Sequence, residues 1–165
     1  MGWRILIESE RCWLEFFRQS DCDDVEKLYR NPRVRRYLGG VPSEDLIDKS
    51  LYDMLHPDGD SFYWMAREKQ SKESMGLISL DPHHEGVNLE ISFQFLPEWW
   101  GAGFATEAVQ SIIHYAFNDL KLSKVVAETQ TANTSSRRLL EGIGMNFEKT
   151  IIRFGEEQAV YCIEP

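Results

Sequence analysis

The apolar positions of this chain change period several times, and each change marks an element. From Cys12 to Phe17 the string Cys-Trp-Leu-Glu-Phe-Phe is aromatic and alternates loosely, which predicts a first strand. Ser20, with Asp23 three residues on, forms a capping-box pattern, and Val25, Leu28 and Tyr29 then follow helical spacing until Asn31-Pro32 stops it. A second start is Ser43. Leu46, Ile47, Leu51, Met54 and Leu55 continue from it at the helical period and end before the breaker cluster His56-Pro57-Asp58-Gly59. Three strands come next, Phe62 to Arg67, Met75 to Leu80 and Leu89 to Leu96, read as an antiparallel meander.

After Pro97 the period returns to that of a helix. Ala105, Ala108, Val109, Ile112, Ile113, Ala116, Phe117 and Leu120 keep one apolar stripe over four turns. Lys124 to Thr129 is a short β-branched strand, and Ser135 to Glu141 a helix that starts near Asn133 and Thr134 and stops at Gly142 to Gly144. Phe147 to Phe154 and Ala159 to Ile163 close the sheet as a hairpin around Gly155. Repeats, linkers and low-complexity segments are absent.

Composition narrows the class. A chain of 165 residues, 42% hydrophobic and 12% aromatic, is long enough for one sizeable core and short for two, so residues 1–165 read as a single domain. Eighteen Lys and Arg against 27 Asp and Glu leave a net charge of -9, which repels a phosphate backbone and anionic lipid and would attract a cationic amine. Nucleic acid and membrane are therefore not expected as partners. Cys12, Cys22 and Cys162 form no CxxC pair, so neither a disulfide framework nor a metal site is indicated. The opening Met1-Gly2-Trp3-Arg4-Ile5-Leu6-Ile7 is too short in apolar residues for a signal peptide, and no run approaches a membrane span. A cytoplasmic location is expected.

The segment Trp100-Gly101-Ala102-Gly103-Phe104-Ala105-Thr106-Glu107 joins a strand to the long helix. Two glycines allow a tight turn that brings successive N–H groups to an anion, and the helix N-terminus adds partial positive charge, so a diphosphate is a natural guest. The plain alternative is a strand-to-helix turn and nothing more. A P-loop needs GxxxxGK followed by Ser or Thr, and no such string exists. A dinucleotide fingerprint would need a third glycine, where Phe104-Ala105-Thr106 stands, and an acidic residue at a later strand end, whereas Asp119 falls at the helix end.

At these residues the chain resembles the general N-acetyltransferase (GNAT) superfamily, and within it the RimJ/RimL-type branch that acetylates N-termini of ribosomal proteins. The resemblance spans nearly the whole chain. It rests on Asn31-Pro32-Arg33-Val34-Arg35-Arg36-Tyr37-Leu38, on Leu96-Pro97-Glu98-Trp99 running into the glycine turn and Ala108, on Tyr115-Ala116-Phe117, on Asn133-Thr134-Ser135-Ser136, and on Leu139-Leu140-Glu141-Gly142-Ile143-Gly144-Met145. It implies an α/β fold: a mixed, largely antiparallel seven-stranded sheet with helices on both faces and a central strand pair that splays to admit acetyl-CoA. The backbone of Phe93 to Leu96, with Phe93, Phe95 and Leu96 as the contacts, would bond the pantetheine arm. The turn of Trp100, Gly101, Ala102, Gly103, Phe104, Ala105 and Thr106 would hold the pyrophosphate, and Asn133, Ser136 and Arg137 would approach the coenzyme from the following loop and helix.

Acetyl transfer needs a neutral amine, a stabilised oxyanion and a leaving thiolate. The N–H of Phe95 or Leu96 is the oxyanion candidate. Glu90, at the start of the splayed strand, is the candidate base, directly or through water; its plain alternative is a surface carboxylate. Ser136, at the family's Asn-x-x-Ser spacing, is the candidate to protonate the thiolate, with a helix cap as the competing reading. His83 and His84 are candidate substrate contacts in a loop, while His114 in the long helix reads as a solvent-facing or hydrogen-bonded histidine rather than a ligand. Trp99 and Trp100 read as packing anchors, and Glu107 is accounted for by the helix dipole. Ala102 stands where relatives often carry Lys, and Met145 and Phe147 where many carry a tyrosine acid. The expected acceptor is a peptide N-terminal α-amino group; a small amine such as a polyamine, antibiotic or metabolite is the alternative, and a silent acyl-CoA-binding module a third. Homodimerisation stays open.

Overall fold

The computed structural model describes residues 6–165, so most of the opening segment weighed above as a leader lies outside the described residues. In chain order the elements are β1 (Ile7–Glu8), β2 (Cys12–Phe16), α1 (Cys22–Tyr29), α2 (Pro32–Arg35), α3 (Glu44–Leu55), β3 (Phe62–Glu68), β4 (Ser74–Pro82), β5 (Leu89–Phe95), α4 (Phe104–Asn118), β6 (Val125–Gln130), α5 (Thr134–Gly142), β7 (Asn146–Arg153) and β8 (Glu156–Ile163). The strands form one sheet in the order β1-β2-β3-β4-β5-β6-β8-β7. Every pair is antiparallel except β5 with β6. Among the described residues the sheet has eight strands rather than seven. The addition is β1, whose two residues pair with Leu14 and Trp13 and are too few to leave a period in the sequence.

Alternation along each strand sends side chains to opposite faces, and both faces are covered. On one face Trp64, Ile78, Leu80 and Ile91 pack with Val109, Ile112 and Ala116 of α4 and Leu140 of α5. On the other Met65 and Leu77 pack with Val25, Leu28, Ile47, Leu51 and Met54 from α1 and α3. Gly76 brings β4 and β5 close: a Cβ there would lie 2.3 Å from the Gln94 carbonyl oxygen and 2.8 Å from the Phe95 ring.

Two local signals resolve differently from the sequence reading. No Ser20 cap forms; instead the buried Asp21 accepts from the Arg18 N–H at 3.1 Å and is bonded by the Arg67 guanidinium, so the chain enters α1 through a 3₁₀ turn. Asn31-Pro32 stops α1 and also starts α2, because the Asn31 carboxamide oxygen accepts from the N–H groups of Arg33 and Val34 with Pro32 in the first turn. Ser43 caps α3 as its position predicts. The β7–β8 hairpin turns at Phe154-Gly155, with φ of 57° and 75°, the left-handed pair of a two-residue hairpin loop. Among the described residues no helix is long and apolar enough to cross a membrane, and no group of His, Cys, Asp or Glu could hold a metal ion.

Candidate active site

β5 and β6 pair only at Leu89 with Val125 and Glu90 with Val126. Beyond those two rungs they part, while β4 holds β5 along its whole length and β8 holds β6 along its own. The opening is therefore wedge-shaped, with Glu90 at its base. Its far end lies at the C-terminal ends of two parallel strands, each of which leads to a helix N-terminus, α4 and α5; crevices at the carboxyl ends of strands are where α/β sheets bind ligands.

In an antiparallel ladder the backbone groups point alternately toward and away from the partner strand. The Leu96 N–H donates to the Met75 carbonyl at 2.9 Å and the Leu96 carbonyl accepts from the Trp99 N–H at 3.0 Å, so neither faces the opening. This corrects the expectation for Leu96. The phase that turns Leu96 toward β4 turns the backbone groups of Phe93 and Phe95 toward the wedge. The Phe95 carbonyl is engaged by the Trp100 Nε1–H at 2.7 Å. The Phe95 N–H and both Phe93 groups remain for a guest.

Past Pro97 the chain makes a 3₁₀ turn and reaches α4 through Gly101 and Gly103, whose φ values of 81° and 84° belong to the left-handed region that glycine enters without strain. Gly103 is the α4 N-cap and offers no side chain, so the first-turn N–H groups, including those of Phe104, Ala105 and Thr106, lack the usual side-chain acceptor. Gly101, Ala102 and Gly103 are exposed, and Phe104 is buried beneath them with Trp99 packed edge-on to its ring. This open, donor-rich turn fits a diphosphate. Glu107 does more than answer the helix dipole: it accepts from the Ser9 hydroxyl, from the Arg11 N–H at 2.8 Å and from Arg11 Nε at 2.9 Å, tying the β1–β2 turn to α4. Burial pushes its carboxyl up, but these donors outweigh burial and hold it at about 2.

At α5 the Asn133 carboxamide oxygen accepts from the Ser136 N–H at 3.2 Å, so Asn133 caps the helix and the cap reading of Ser136 falls away. The half-buried Ser136 hydroxyl has no hydrogen-bond partner among the described residues. Arg137 donates through Nε to the Tyr161 hydroxyl at 3.0 Å, and Tyr161 donates to Glu141 at 2.8 Å. Arg137 thus seats α5 on β8, and Tyr161, fully buried and engaged on both sides, does not supply the tyrosine missing near Met145.

Three carboxylates from adjacent strands meet at the base of the wedge. Asp81 on β4 lies directly opposite Glu90 on β5, and Glu128 on β6, two residues past Val126, shares their face. The Glu128 side chain is 6% exposed and accepts at 2.8 Å both from His83 Nε2 and from Arg153 Nε. Burial first, then the charges of Glu128 and Asp81, push the Glu90 carboxyl up to about 8, with the Glu128 N–H and Arg153 opposing in part. Burial raises Asp81 as well, against the pull of His84. His83 is buried at 4% exposure rather than free in a loop: its Nδ1 accepts from the Glu85 N–H, which leaves the proton on Nε2 to donate to Glu128. His84 is exposed with its ring against Phe154, and His114 faces solvent as expected. The sequence reading missed Asp81, Glu128 and Arg153, because cross-strand register leaves no mark in a single chain. On the face of Asp81, under α1 and α3, lies a cavity of about 230 Å³ lined by Tyr29, Asp53, Tyr63, Ser79, Asp81 and Gln94 among others.

The same architecture recurs in known proteins. A family model described as an acetyltransferase (GNAT) domain matches residues 11–146. The uncharacterized N-acetyltransferase YoaA of Bacillus subtilis is 28% identical over 152 residues, covering 87% of this chain and 83% of its own. Among solved structures, a GNAT-family acetyltransferase of Bacillus anthracis superposes with a TM-score of 0.84 at 24% identity, covering 97% of this chain and 98% of its own. Spermidine N-acetyltransferase of Vibrio cholerae, solved with CoA and spermine, superposes with a TM-score of 0.81 at 19% identity, covering 94% of this chain and 96% of its own. With the wedge, the glycine turn and the matched family on the same residues, the chain belongs to the GNAT acetyltransferase family and is an acetyl-CoA-dependent N-acetyltransferase.

Proposed function

We propose that the enzyme acetylates a small cationic amine that enters from the α1–α3 face of the sheet, with Glu90 as general base. The observation that carries this is the Asp81–Glu90 pair at the base of the wedge, beside a cavity of about 230 Å³. An alkyl ammonium with a pKa of about 10.4 needs a base, whereas an α-amino group near 8 loses its proton with little help. A carboxyl lifted to about 8 suits the first task, because it accepts a proton readily near the amine's own range and is still ionised in mildly basic solution. Neighbouring carboxylates also attract the cation before it is deprotonated.

Acetyl-CoA supplies the activated acetyl thioester. Glu90 takes a proton from the ammonium through intervening water, the freed nitrogen forms the N–C bond and gives up its second proton to solvent, and the C–S bond breaks. The Phe95 N–H faces the carbonyl oxygen as it gains negative charge. The Ser136 hydroxyl donates its proton to the departing sulfur and recovers one from solvent. Phe93 backbone groups hold the pantetheine amides, the turn from Trp100 to Thr106 holds the pyrophosphate, and Asn133 and Arg137 shape the far wall.

The small-amine reading takes the second of the two acceptors set out from the sequence. The cavity size supports it, as does the likeness to the Vibrio cholerae spermidine enzyme. A peptide N-terminus, the acceptor of the RimJ/RimL-type branch, would need a longer open groove. Thiol release from acetyl-CoA, measured with spermidine and short diamines against peptides with free N-termini, separates them: turnover with the amines and little with peptides is expected, and the reverse would overturn the proposal. No turnover with either, together with thermal stabilisation by acetyl-CoA, would leave the silent binding module.

A further inference from the structure

Two arginines border the glycine turn, and neither belongs to the motif that forms it. Arg11, in the β1–β2 turn, holds its guanidinium carbon 4.1 Å from the centre of the Phe104 ring. Its Nη2 lies 3.3 Å from the position that a Cβ on Gly103 would take. Arg33, in α2 on the other face of the sheet, holds its guanidinium carbon 5.1 Å from the centre of the Trp100 ring. Both cations therefore stack on aromatic residues of the turn itself, an arrangement that fixes the planar group while leaving its N–H edges free. Nε of Arg11 is bonded to Glu107, but its Nη groups have no acceptor among the described residues, and the Arg33 side chain has no hydrogen bond or ion pair there. Ala102 gives the turn no cation of its own, and a protein of net charge -9 repels a polyanion at long range.

We propose that Arg11 and Arg33 form a two-sided clamp on the pyrophosphate of the coenzyme, in place of a lysine between the glycines. The inference rests on the glycine turn being the pyrophosphate site. Arg11 stacks on Phe104 in the first turn of α4 and Arg33 on Trp100 at the start of the glycine turn, so an anion seated on the turn would meet N–H donors from the backbone and one cation from each end of it. Gly103 then has a second role, since a side chain at that position would press on Arg11.

The test compares three acetyl donors: acetyl-CoA, 3′-dephospho-acetyl-CoA and S-acetylpantetheine, which carries no phosphate. In Arg11→Gln and Arg33→Gln the loss of kcat/KM with acetyl-CoA is expected to exceed the loss with S-acetylpantetheine by about tenfold or more, the effect of one charge-assisted hydrogen bond, and to appear mainly in KM. The same excess is expected with 3′-dephospho-acetyl-CoA. Equal losses with all three donors would overturn the clamp and make the arginines structural, and an excess that disappears with the 3′-dephospho donor would overturn it in favour of the 3′-phosphate. Arg11→Gln also removes one of the three contacts to Glu107; if that variant fails to fold, Arg33→Gln decides the question alone. Turnover of S-acetylpantetheine itself is the separate check on the transferase reading.

Discussion

Asp81 and Glu90 are direct cross-strand partners on one face of the sheet, and neither has a cationic side chain bonded to it among the described residues. Like charges placed opposite one another destabilise a sheet. They relieve that repulsion by keeping a proton or by receiving a cation between them, and both fit a site that binds an ammonium and then deprotonates it.

The rate should follow the Glu90 proton. The charged groups facing it are Asp81 from β4, Glu128 from β6 and Arg153 from β7, with His84 acting on Asp81. A base with a pKa of about 8 gives kcat/KM an ascending limb near that pH. Glu90→Gln should remove the limb and lower kcat by about 10²-fold or more, in the range for a general base. Glu128→Gln deletes one of the two repelling charges, so the limb should move to lower pH; a limb unchanged in both variants would leave Glu90 without a catalytic part.

The same proton links pH to stability. The folded-state pKa of Glu90 lies above the ordinary 4.5, so its contribution is fully present below pH 4.5 and is lost as pH rises through about 8. Melting temperatures of the wild type and Glu90→Gln should diverge in that window, with the variant gaining more at pH 9 than at pH 5. Parallel curves would mean that the carboxyl titrates like an exposed one.

Glu107 behaves in the opposite sense. Its pKa, held at about 2, is below the ordinary value, so its contribution is present above pH 4.5 and is lost as pH falls through about 2. Glu107→Ala removes three acceptor contacts that join the β1–β2 turn to α4 and should cost about 2–3 kcal/mol by denaturant unfolding at pH 7, given the strength of hydrogen bonds to a charged group. At pH 3 the gap between variant and wild type should narrow.

Periodic elements were legible and register was not. The four-turn stripe of α4 and the meander of β3, β4 and β5 follow from spacing alone, with ends off by one or two residues. The wedge could be expected only through the family resemblance, since Ile91 to Phe95 has the same alternation whether or not β6 pairs with it. His83 was misplaced for a related reason: the loop it opens folds back, so a residue that looks exposed in the sequence lies against Glu128. Asn31-Pro32 carries two signals, stop and start, and the apolar period before it reveals only the first.

Asn133 and Ser136 divide the roles that their spacing leaves open. The Asn133 side chain accepts from the Ser136 N–H, and the Ser136 hydroxyl has no hydrogen-bond partner among the described residues. Asn133→Ala should therefore cost about 1 kcal/mol of stability, the usual worth of an N-cap, and lower Tm. Ser136→Ala should leave Tm nearly unchanged and lower kcat more than it raises KM, because a hydroxyl that protonates the thiolate acts after the donor is bound. A leaving group of lower pKa needs less of that proton, so a more activated acetyl thioester should narrow the kcat gap between Ser136→Ala and the wild type. A gap of constant size across donors would assign the thiolate's proton to solvent and reduce Ser136 to a wall of the coenzyme site.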